Sequence, residues 1–222
     1  MRRFSLLLLT ALFLTACSTP AVGESPAPSS SATASTPTVG ACPTMREQIT
    51  ALSAPSTVTL ETAQGTIRIE LTTKSPIAAG NFAALAACGF YDGVVFHRIV
   101  PGFVIQGGDG QYGRLGALDP AAVGSGGPGY TIADEPVVEQ YGRGVVAMAR
   151  SSLPESQGSQ FFIVLSDEAA TPLAAYNTYA IIGRVTEGME VVDAIAALPQ
   201  SGAPSNAATP LDEAPIRHAS VE

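Results

Sequence analysis

The stretch FHRIVPGFVIQGGD, residues 96–109, places the polar side chains of Arg98 and Gln106 among aromatic and aliphatic neighbours. A second stretch, GSQFFI at residues 158–163, repeats this mixture of polar and apolar residues. Taken singly, these arginine, glutamine and phenylalanine residues fit an ordinary core or surface. Taken together, in this order and spacing, they indicate a functional site.

The flanking sequence predicts a hairpin, two helices and many short strands. Residues 58–62 and 66–71 alternate apolar with polar side chains on either side of a glycine-containing loop, which predicts a β-hairpin. A helix is predicted from Ser75, an N-cap residue followed by proline, to Gly89, and a second from about Glu187 to Leu198. Short apolar runs divided by glycine and proline fill the sequence between them. This pattern predicts a closed antiparallel barrel and not a parallel sheet.

Both stretches resemble the cyclophilins, the β-barrel peptidyl-prolyl cis-trans isomerases, and the resemblance extends from about Val58 to Val221. Residues 75–82 resemble the first helix of that family, and residues 182–189 resemble the strand that leads into the second. The glycine-rich segment 111–133 resembles bacterial members. The resemblance implies a mainly β fold: a closed eight-stranded antiparallel barrel capped by two α-helices, acting on proline-containing polypeptides without a cofactor.

The chemistry of such an enzyme explains why an arginine would be needed. An X-Pro amide resists rotation by about 18 to 20 kcal/mol because its nitrogen shares its lone pair with the carbonyl. A guanidinium can donate a hydrogen bond to that nitrogen once the bond is twisted, and it keeps its proton near neutral pH. We therefore interpret Arg98 as the catalytic residue. By motif position, Gln106 is expected to hydrogen-bond the substrate backbone and Phe103 to line the proline pocket, and the resemblance implies that both belong with Arg98 to the catalytic set.

The resemblance also implies a wider set of substrate-binding residues and shows departures from the family pattern. The expected substrate contacts are His97, Val104, Met148, Ala149, Arg150, Gln160, Phe162, Leu173 and Tyr179. Val104 is shorter than the usual residue, Arg150 replaces a frequent asparagine, and the chain has no tryptophan. One alternative is therefore a cyclophilin-like module that binds proline peptides with weak or no turnover. Another is an envelope protein that uses the barrel only as a rigid body.

Three other site chemistries have little support in this sequence. Gly124 to Gly129 satisfies the spacing of a dinucleotide-binding fingerprint, but no helix is predicted to follow it. The two histidines, His97 and His218, have no cysteine or carboxylate at ligand spacing, so we expect no metal site. A serine-histidine-aspartate site would have to use His97, which the isomerase motif explains better.

The first 17 residues are typical of a bacterial lipoprotein signal. Arg2 and Arg3 precede an apolar run that ends in Leu14-Thr-Ala-Cys17, and the run is too short to span a bilayer. We expect cleavage of residues 1–16 and lipidation of Cys17, which would place the protein outside the cytoplasm on a bacterial membrane. A plain secretory signal with an incidental Cys17 is the rival interpretation.

The remaining chain divides into three parts with different compositions. Residues 17–41, rich in serine, threonine, proline and alanine, predict a disordered tether with a reach of about 25 to 30 Å. Residues 42–57 form a lead-in segment, and residues 58–222 form the isomerase domain, which we expect to be monomeric. Without Arg2 and Arg3, 9 of the 11 basic residues remain against 19 acidic ones. That balance excludes a basic stripe for nucleic acid.

Two cysteines remain after Cys17, namely Cys42 before the domain and Cys88 at the end of the first predicted helix. Outside the cytoplasm an even pair favours a disulfide. The open alternative is a buried Cys88 with Cys42 as a free thiol, since sequence does not give the distance between them.

Overall fold

The computed structural model describes residues 41–199 and 214–222, which form an eight-stranded sheet with three α-helices. Two 3₁₀ turns, Arg46–Gln48 and Asp167–Ala169, complete the regular structure of this part of the chain. The strands are β1 (Thr57–Thr62), β2 (Thr66–Leu71), β3 (Phe96–Val100), β4 (Val104–Gly107), β5 (Val145–Met148), β6 (Phe161–Val164), β7 (Ile181–Glu187) and β8 (Ile216–Val221). The helices are α1 (Pro76–Ala87), α2 (Ala170–Tyr176) and α3 (Met189–Ala196).

The sheet is antiparallel throughout and curls into a half-barrel in the order β3-β4-β6-β5-β7-β2-β1-β8. The predicted hairpin is confirmed as β1 and β2. The prediction of a closed barrel was wrong, because the edge strands β3 and β8 do not form a ladder. Among the described residues, one isolated bridge between Val95 and Pro215 links these edges. Backbone hydrogen bonds flank this bridge, from Phe96 N–H to the carbonyl of Ala214 at 2.9 Å and from Ile216 N–H to that of Val94 at 2.8 Å, but the pairing does not continue along β3 and β8.

Both faces of the central strands are buried, and they belong to two different apolar clusters. Along β6, Phe161 and Ile163 point into the main core, whereas Phe162 and Val164 point into a smaller cluster on the opposite face. Strand β5 alternates in the same way, with Val146 in the main core. Because successive side chains of a strand face opposite sides, the adjacent phenylalanines serve separate purposes. The smaller cluster lies next to the candidate site.

The first predicted helix is confirmed as α1, with Pro76 at its first turn. Ser75 stands at the N-cap position, but its side chain makes no capping hydrogen bond. Glu135 provides the cap, because its carboxylate accepts the N–H groups of Ile77 at 3.0 Å and Ala78 at 2.7 Å. A carboxylate at a helix N-terminus also interacts favourably with the helix dipole.

The second predicted helix is confirmed as α3, and α2 is an additional helix. The sequence predicts no helix between the other two, but residues 170–176 form one short helix that ends at Asn177 in the left-handed conformation. A family-based expectation of two helices therefore missed α2. No helix among residues 41–199 and 214–222 is both long enough and apolar enough to cross a membrane.

The lead-in segment is fastened to α1 by a covalent bond and by close backbone packing. Cys42 and Cys88 form a disulfide with their Cα atoms 5.1 Å apart, which confirms the predicted pair. The N–H of Leu52 donates to the carbonyl of Pro76 at 2.8 Å. A side chain at Gly80 would overlap the carbonyl oxygen of Thr50, so only glycine permits this approach. The predicted signal peptide and tether lie outside the described residues.

Candidate active site

Arg98 and Gln106 face each other on neighbouring strands, which places both side chains on one surface. Strands β3 and β4 pair so that these two residues are directly opposite. Arg98 Nη1 donates to Gln106 Oε1 at 3.3 Å. The guanidinium is half-buried, and burial lowers the pKa of Arg98 while the nearby Tyr179 opposes that shift. The group remains a cation near neutral pH because an arginine starts from so high a pKa.

An apolar cavity of about 480 Å³ opens beside Arg98. Val104, Phe162 and Leu173 are nearly inaccessible to solvent and belong to the smaller apolar cluster. Phe162 packs edge-on against Tyr179, with 5.3 Å between ring centroids. The cavity is lined by Arg98, Phe103, Val104, Gln106, Ala149, Arg150, Phe162, Pro172, Leu173, Tyr176 and Tyr179. Its lining thus combines apolar side chains with two guanidinium groups and the amide of Gln106.

A chain of hydrogen bonds connects Arg98 to the glycine-rich segment. Gln106 Nε2 donates to Gln160 Oε1 at 2.9 Å. Gln160 Nε2 in turn donates to the carbonyls of Gly124 at 2.9 Å and Gly126 at 2.8 Å. With its amide held at both ends, Gln106 is fixed in the orientation that accepts from Arg98.

The glycine-rich segment is organised by one fully buried carboxylate, that of Asp109. Asp109 Oδ1 accepts the N–H groups of Gln111 and Tyr112 at 3.0 and 2.9 Å, and Oδ2 accepts those of Gly124 and Gly126 at 2.7 and 2.9 Å. A side chain at Gly126 would overlap the carboxylate. Four backbone donors compensate the burial of this charge.

A larger polar groove of about 810 Å³ adjoins the apolar cavity. The glycine-rich segment forms one side, and residues 150–160 supply much of the other. Gln106, Ala149 and Arg150 line both spaces. An extended peptide could therefore place one apolar residue in the cavity while its neighbours continue along the groove.

The family model for cyclophilin-type peptidyl-prolyl cis-trans isomerases matches residues 57–221. The chain belongs to the cyclophilin family. A peptidyl-prolyl cis-trans isomerase of Acinetobacter baylyi is 38% identical over 149 residues, which cover 65% of this chain and 73% of the relative. A peptidyl-prolyl cis-trans isomerase-like 1 protein of Rhizopus delemar is 43% identical over 141 residues, which cover 61% of this chain and 76% of the relative. These relationships show that the chain is a peptidyl-prolyl cis-trans isomerase.

Solved cyclophilin structures share the fold. A crystal structure of a Cryptosporidium parvum cyclophilin type peptidyl-prolyl cis-trans isomerase superposes with a TM-score of 0.61 at 30% identity, covering 76% of this chain and 98% of the other. A second structure of the same protein was obtained in the presence of the dipeptide Ala-Pro. It superposes with a TM-score of 0.60 at 31% identity and covers 75% of this chain and 98% of the other.

Two of the residues expected to bind substrate lie apart from both spaces of this cyclophilin. Met148 is completely buried in the main core and lines neither the cavity nor the groove. His97 is buried beside the glycine-rich segment, next to Gln160 and Val95, and also lines neither space. Burial lowers the pKa of His97 to about 4, against the opposing effect of Asp109. The other expected contacts line one space or both.

Sequence reasoning missed several residues that shape this surface. Pro172 and Tyr176 line the apolar cavity because residues 170–176 are helical. Tyr141 fixes the far wall, since its hydroxyl donates to the carbonyl of Tyr179 at 2.9 Å and accepts its N–H at 3.2 Å. Burial raises the pKa of Tyr141 to about 12, so the hydroxyl keeps its proton. Asp109 ends the motif at residues 96–109, and a carboxylate that precedes a glycine-rich segment is a sequence signal for such loop contacts.

Within residues 41–199 and 214–222, no three histidine, cysteine or acidic side chains cluster so as to hold a metal ion. The segment with dinucleotide-like spacing, 124–129, lies in turns and bends and opens no helix.

Proposed function

We propose that Arg98 catalyses X-Pro rotation by stabilising the twisted amide without any covalent step. The observation that carries this proposal is the hydrogen bond of 3.3 Å between Arg98 and Gln106 at the edge of the apolar cavity. The proline ring occupies the cavity against Phe103 and Phe162, and the preceding residues lie along the polar groove. The presence of Ala-Pro with the Cryptosporidium relative supports a proline-containing ligand.

Rotation moves the carbonyl of the residue before proline relative to the seated ring. As conjugation is lost, the proline nitrogen regains its lone pair and becomes a hydrogen-bond acceptor. Arg98 donates to it, while the amide of Gln106 binds the substrate backbone and holds one side of the bond. This interaction is stronger in the twisted state than in either planar isomer, which is the condition for catalysis.

The cellular setting in this proposal is the outer side of a bacterial membrane. A lipid on Cys17 and the polar tether hold the domain near the membrane surface, where secreted or envelope proteins fold past slow proline steps. Uncatalysed X-Pro isomerisation takes tens to hundreds of seconds, so an isomerase shortens such steps. The sequence Leu14-Thr-Ala-Cys17 and the disulfide, a bond typical of oxidising compartments, support this setting.

A proline-isomerisation assay on Ala-Pro peptides with the whole mature chain tests the role of Arg98. We expect Arg98→Ala to lower kcat/KM by about 100-fold or more, because a donor aimed at the transition state is lost. Arg217→Ala, an exposed arginine on β8, serves as the matched control and should retain the wild-type rate. An active Arg98→Ala variant would overturn the proposed role. A wild-type protein that binds the peptide without turnover would instead favour the binding module.

Metabolic labelling with an alkyne fatty acid in a lipoprotein-producing bacterial host tests the anchor. We expect the wild-type chain to carry the label and to partition into detergent, and Cys17→Ala to do neither, because two acyl chains give stable membrane attachment. A soluble, unlabelled wild-type protein released from the cell would instead support the plain secretory signal.

A further inference from the structure

Arg150 occupies the wall that the apolar cavity and the polar groove share. Its side chain is 9% exposed, and it is the one charged residue among the residues that line the groove. It follows Ala149, whose N–H donates to the carbonyl of Gln160 at 2.8 Å. The guanidinium therefore extends from a fixed point of the sheet into the loops around the site.

The guanidinium connects two separate loops of the site. Arg150 Nη2 donates to the carbonyl of Leu153 at 2.6 Å, and Nε donates to that of Ser151 at 3.2 Å. Nη1 donates to the carbonyl of Thr178 at 3.4 Å, next to the cavity-lining Tyr179. The first two acceptors lie in the loop 151–157, and the third lies in the segment between α2 and β7.

Asp134 completes the arrangement from the other side. Its Oδ2 lies 3.1 Å from Arg150 Nη1 and accepts the N–H of Glu155 at 2.9 Å, while Oδ1 accepts Gln157 Nε2 at 3.0 Å. Burial would raise the pKa of Asp134, but these hydrogen bonds and the charge of Arg150 outweigh it and lower the pKa. The carboxylate thus stays ionised near neutral pH.

The loop held in this way contains a strained residue. Glu155 has a φ of 49°, in the left-handed region that residues with a Cβ disfavour. Such a conformation persists only where its surroundings enforce it. The hydrogen bond from the Glu155 N–H to Asp134 is one such constraint.

We propose that Arg150 and Asp134 are positioning residues that join the loop 151–157 to the segment at Thr178. They thereby fix the position of the apolar cavity relative to the polar groove. This proposal rests on the proposed function, because it assigns peptide affinity to the same surface. The pair fixes the walls before the peptide arrives, so binding does not have to order them.

A direct role in binding charged peptides fits the geometry less well. Four acceptors surround the five donors of the guanidinium, and the carboxylate of Asp134 compensates its charge. The cation is thus committed to the protein. Replacing either partner should therefore disturb the same loops, whatever the charge of the peptide.

A double-mutant cycle of Arg150→Gln, Asp134→Asn and the combined variant, made in the full mature chain, tests this proposal. We expect each single change to raise KM about fivefold with kcat within about twofold, since ground-state positioning is lost while Arg98 is untouched. The double variant should be no worse than either single variant, because both break one linkage. Arg150→Lys keeps the charge without the planar fork and should behave like Arg150→Gln.

Hydrogen exchange supplies a readout independent of turnover. Faster exchange in both 151–157 and 177–180 is expected in each single variant, and Arg143→Gln, from the exposed Arg143–Asp193 pair, is the matched control that should leave KM and these rates unchanged. An effect of Arg150→Gln that Asp134→Asn does not share, or one that appears with acidic peptides only, would overturn the proposal. The proposal would also be overturned if Arg150→Gln, Asp134→Asn and the double variant all kept the wild-type KM and the wild-type exchange rates. A wild-type protein without turnover would contradict the proposed function, and exchange would still test the linkage.

Discussion

His97 and Arg98 are sequence neighbours with opposite environments. The pairing of β3 with β4 shifts between Phe96 and Arg98, so His97 is the extra residue of a β-bulge. A bulge redirects the side chains beside it. Arg98 consequently faces the cavity, while His97 is buried next to Asp109 and the glycine-rich segment. The motif order predicts both residues, but it does not reveal the bulge that separates their surroundings.

The buried imidazole of His97 makes the fold sensitive to acid. Burial lowers its pKa from 6.5 to about 4. Between these two pH values the imidazole is protonated in the unfolded chain and neutral in the folded chain. Stability from this group is complete above pH 6.5 and is lost as the pH falls toward 4. We expect the free energy of unfolding to drop by about 2 kcal/mol between pH 7 and 4.5 through this group. Urea titrations at both values measure the drop.

The variant His97→Asn separates this group from the carboxylates, which also titrate in acid. Its loss of stability between pH 7 and 4.5 should be smaller than that of the wild type by about the same amount. Val138→Asn, a change at an exposed side chain that carries no titratable group, should keep the wild-type slope. Equal slopes in wild type and His97→Asn would contradict the assignment.

The elements that sequence predicts best are those whose pattern is local. Alternation over six residues defines β1 and β2, and Ser75-Pro76 marks the start of α1. The cap of α1 was not predictable, because Glu135 is 57 residues from Ala78 in sequence. Helix α2 was missed for a local reason: it has seven residues, includes a proline and lacks an apolar periodicity long enough to recognise.

The candidate site follows the same division. Arg98, Gln106 and Phe162 were predicted because the two short stretches that carry them resemble the family motifs in order and spacing. The linkage through Arg150 and Asp134 was not, because it joins loops whose conformation depends on long-range hydrogen bonds. The family pattern also does not predict the environment of Met148. Strand alternation turns its side chain into the main core, whereas Ala147 and Ala149 lie on the face of the smaller cluster beside the site.

At the scale of the whole molecule, the disulfide between Cys42 and Cys88 links the lead-in segment covalently to the half-barrel domain. The bond closes a loop across 46 residues and fastens the lead-in segment to α1. Fixing a loop of that length in the unfolded chain contributes about 2 to 4 kcal/mol. We expect the double variant Cys42→Ser, Cys88→Ser to lose that much stability in urea unfolding without reductant. Its kcat/KM should stay within about twofold of wild type, because neither cysteine lines the site.

A reductant provides the control for this prediction. Dithiothreitol should lower the wild-type unfolding midpoint to that of the double variant and leave the variant unchanged. A wild-type midpoint that dithiothreitol does not move would show that the bond adds no stability in solution.

The division of β6 between two clusters has a consequence for redesigning client preference. Phe161 belongs to the main core and Phe162 to the wall of the cavity, so sliding the strand by one residue would exchange them. Substitutions along β6 therefore alter the main core and the cavity wall together, and large-to-small changes there should destabilise the fold. Diversity placed at exposed positions of segments 111–131, 151–157 and 171–179, with Gly126 kept, would vary the groove and the rim of the cavity while the strands that carry Arg98 and Gln106 remain constant. Selection for new peptide substrates should begin in those three segments.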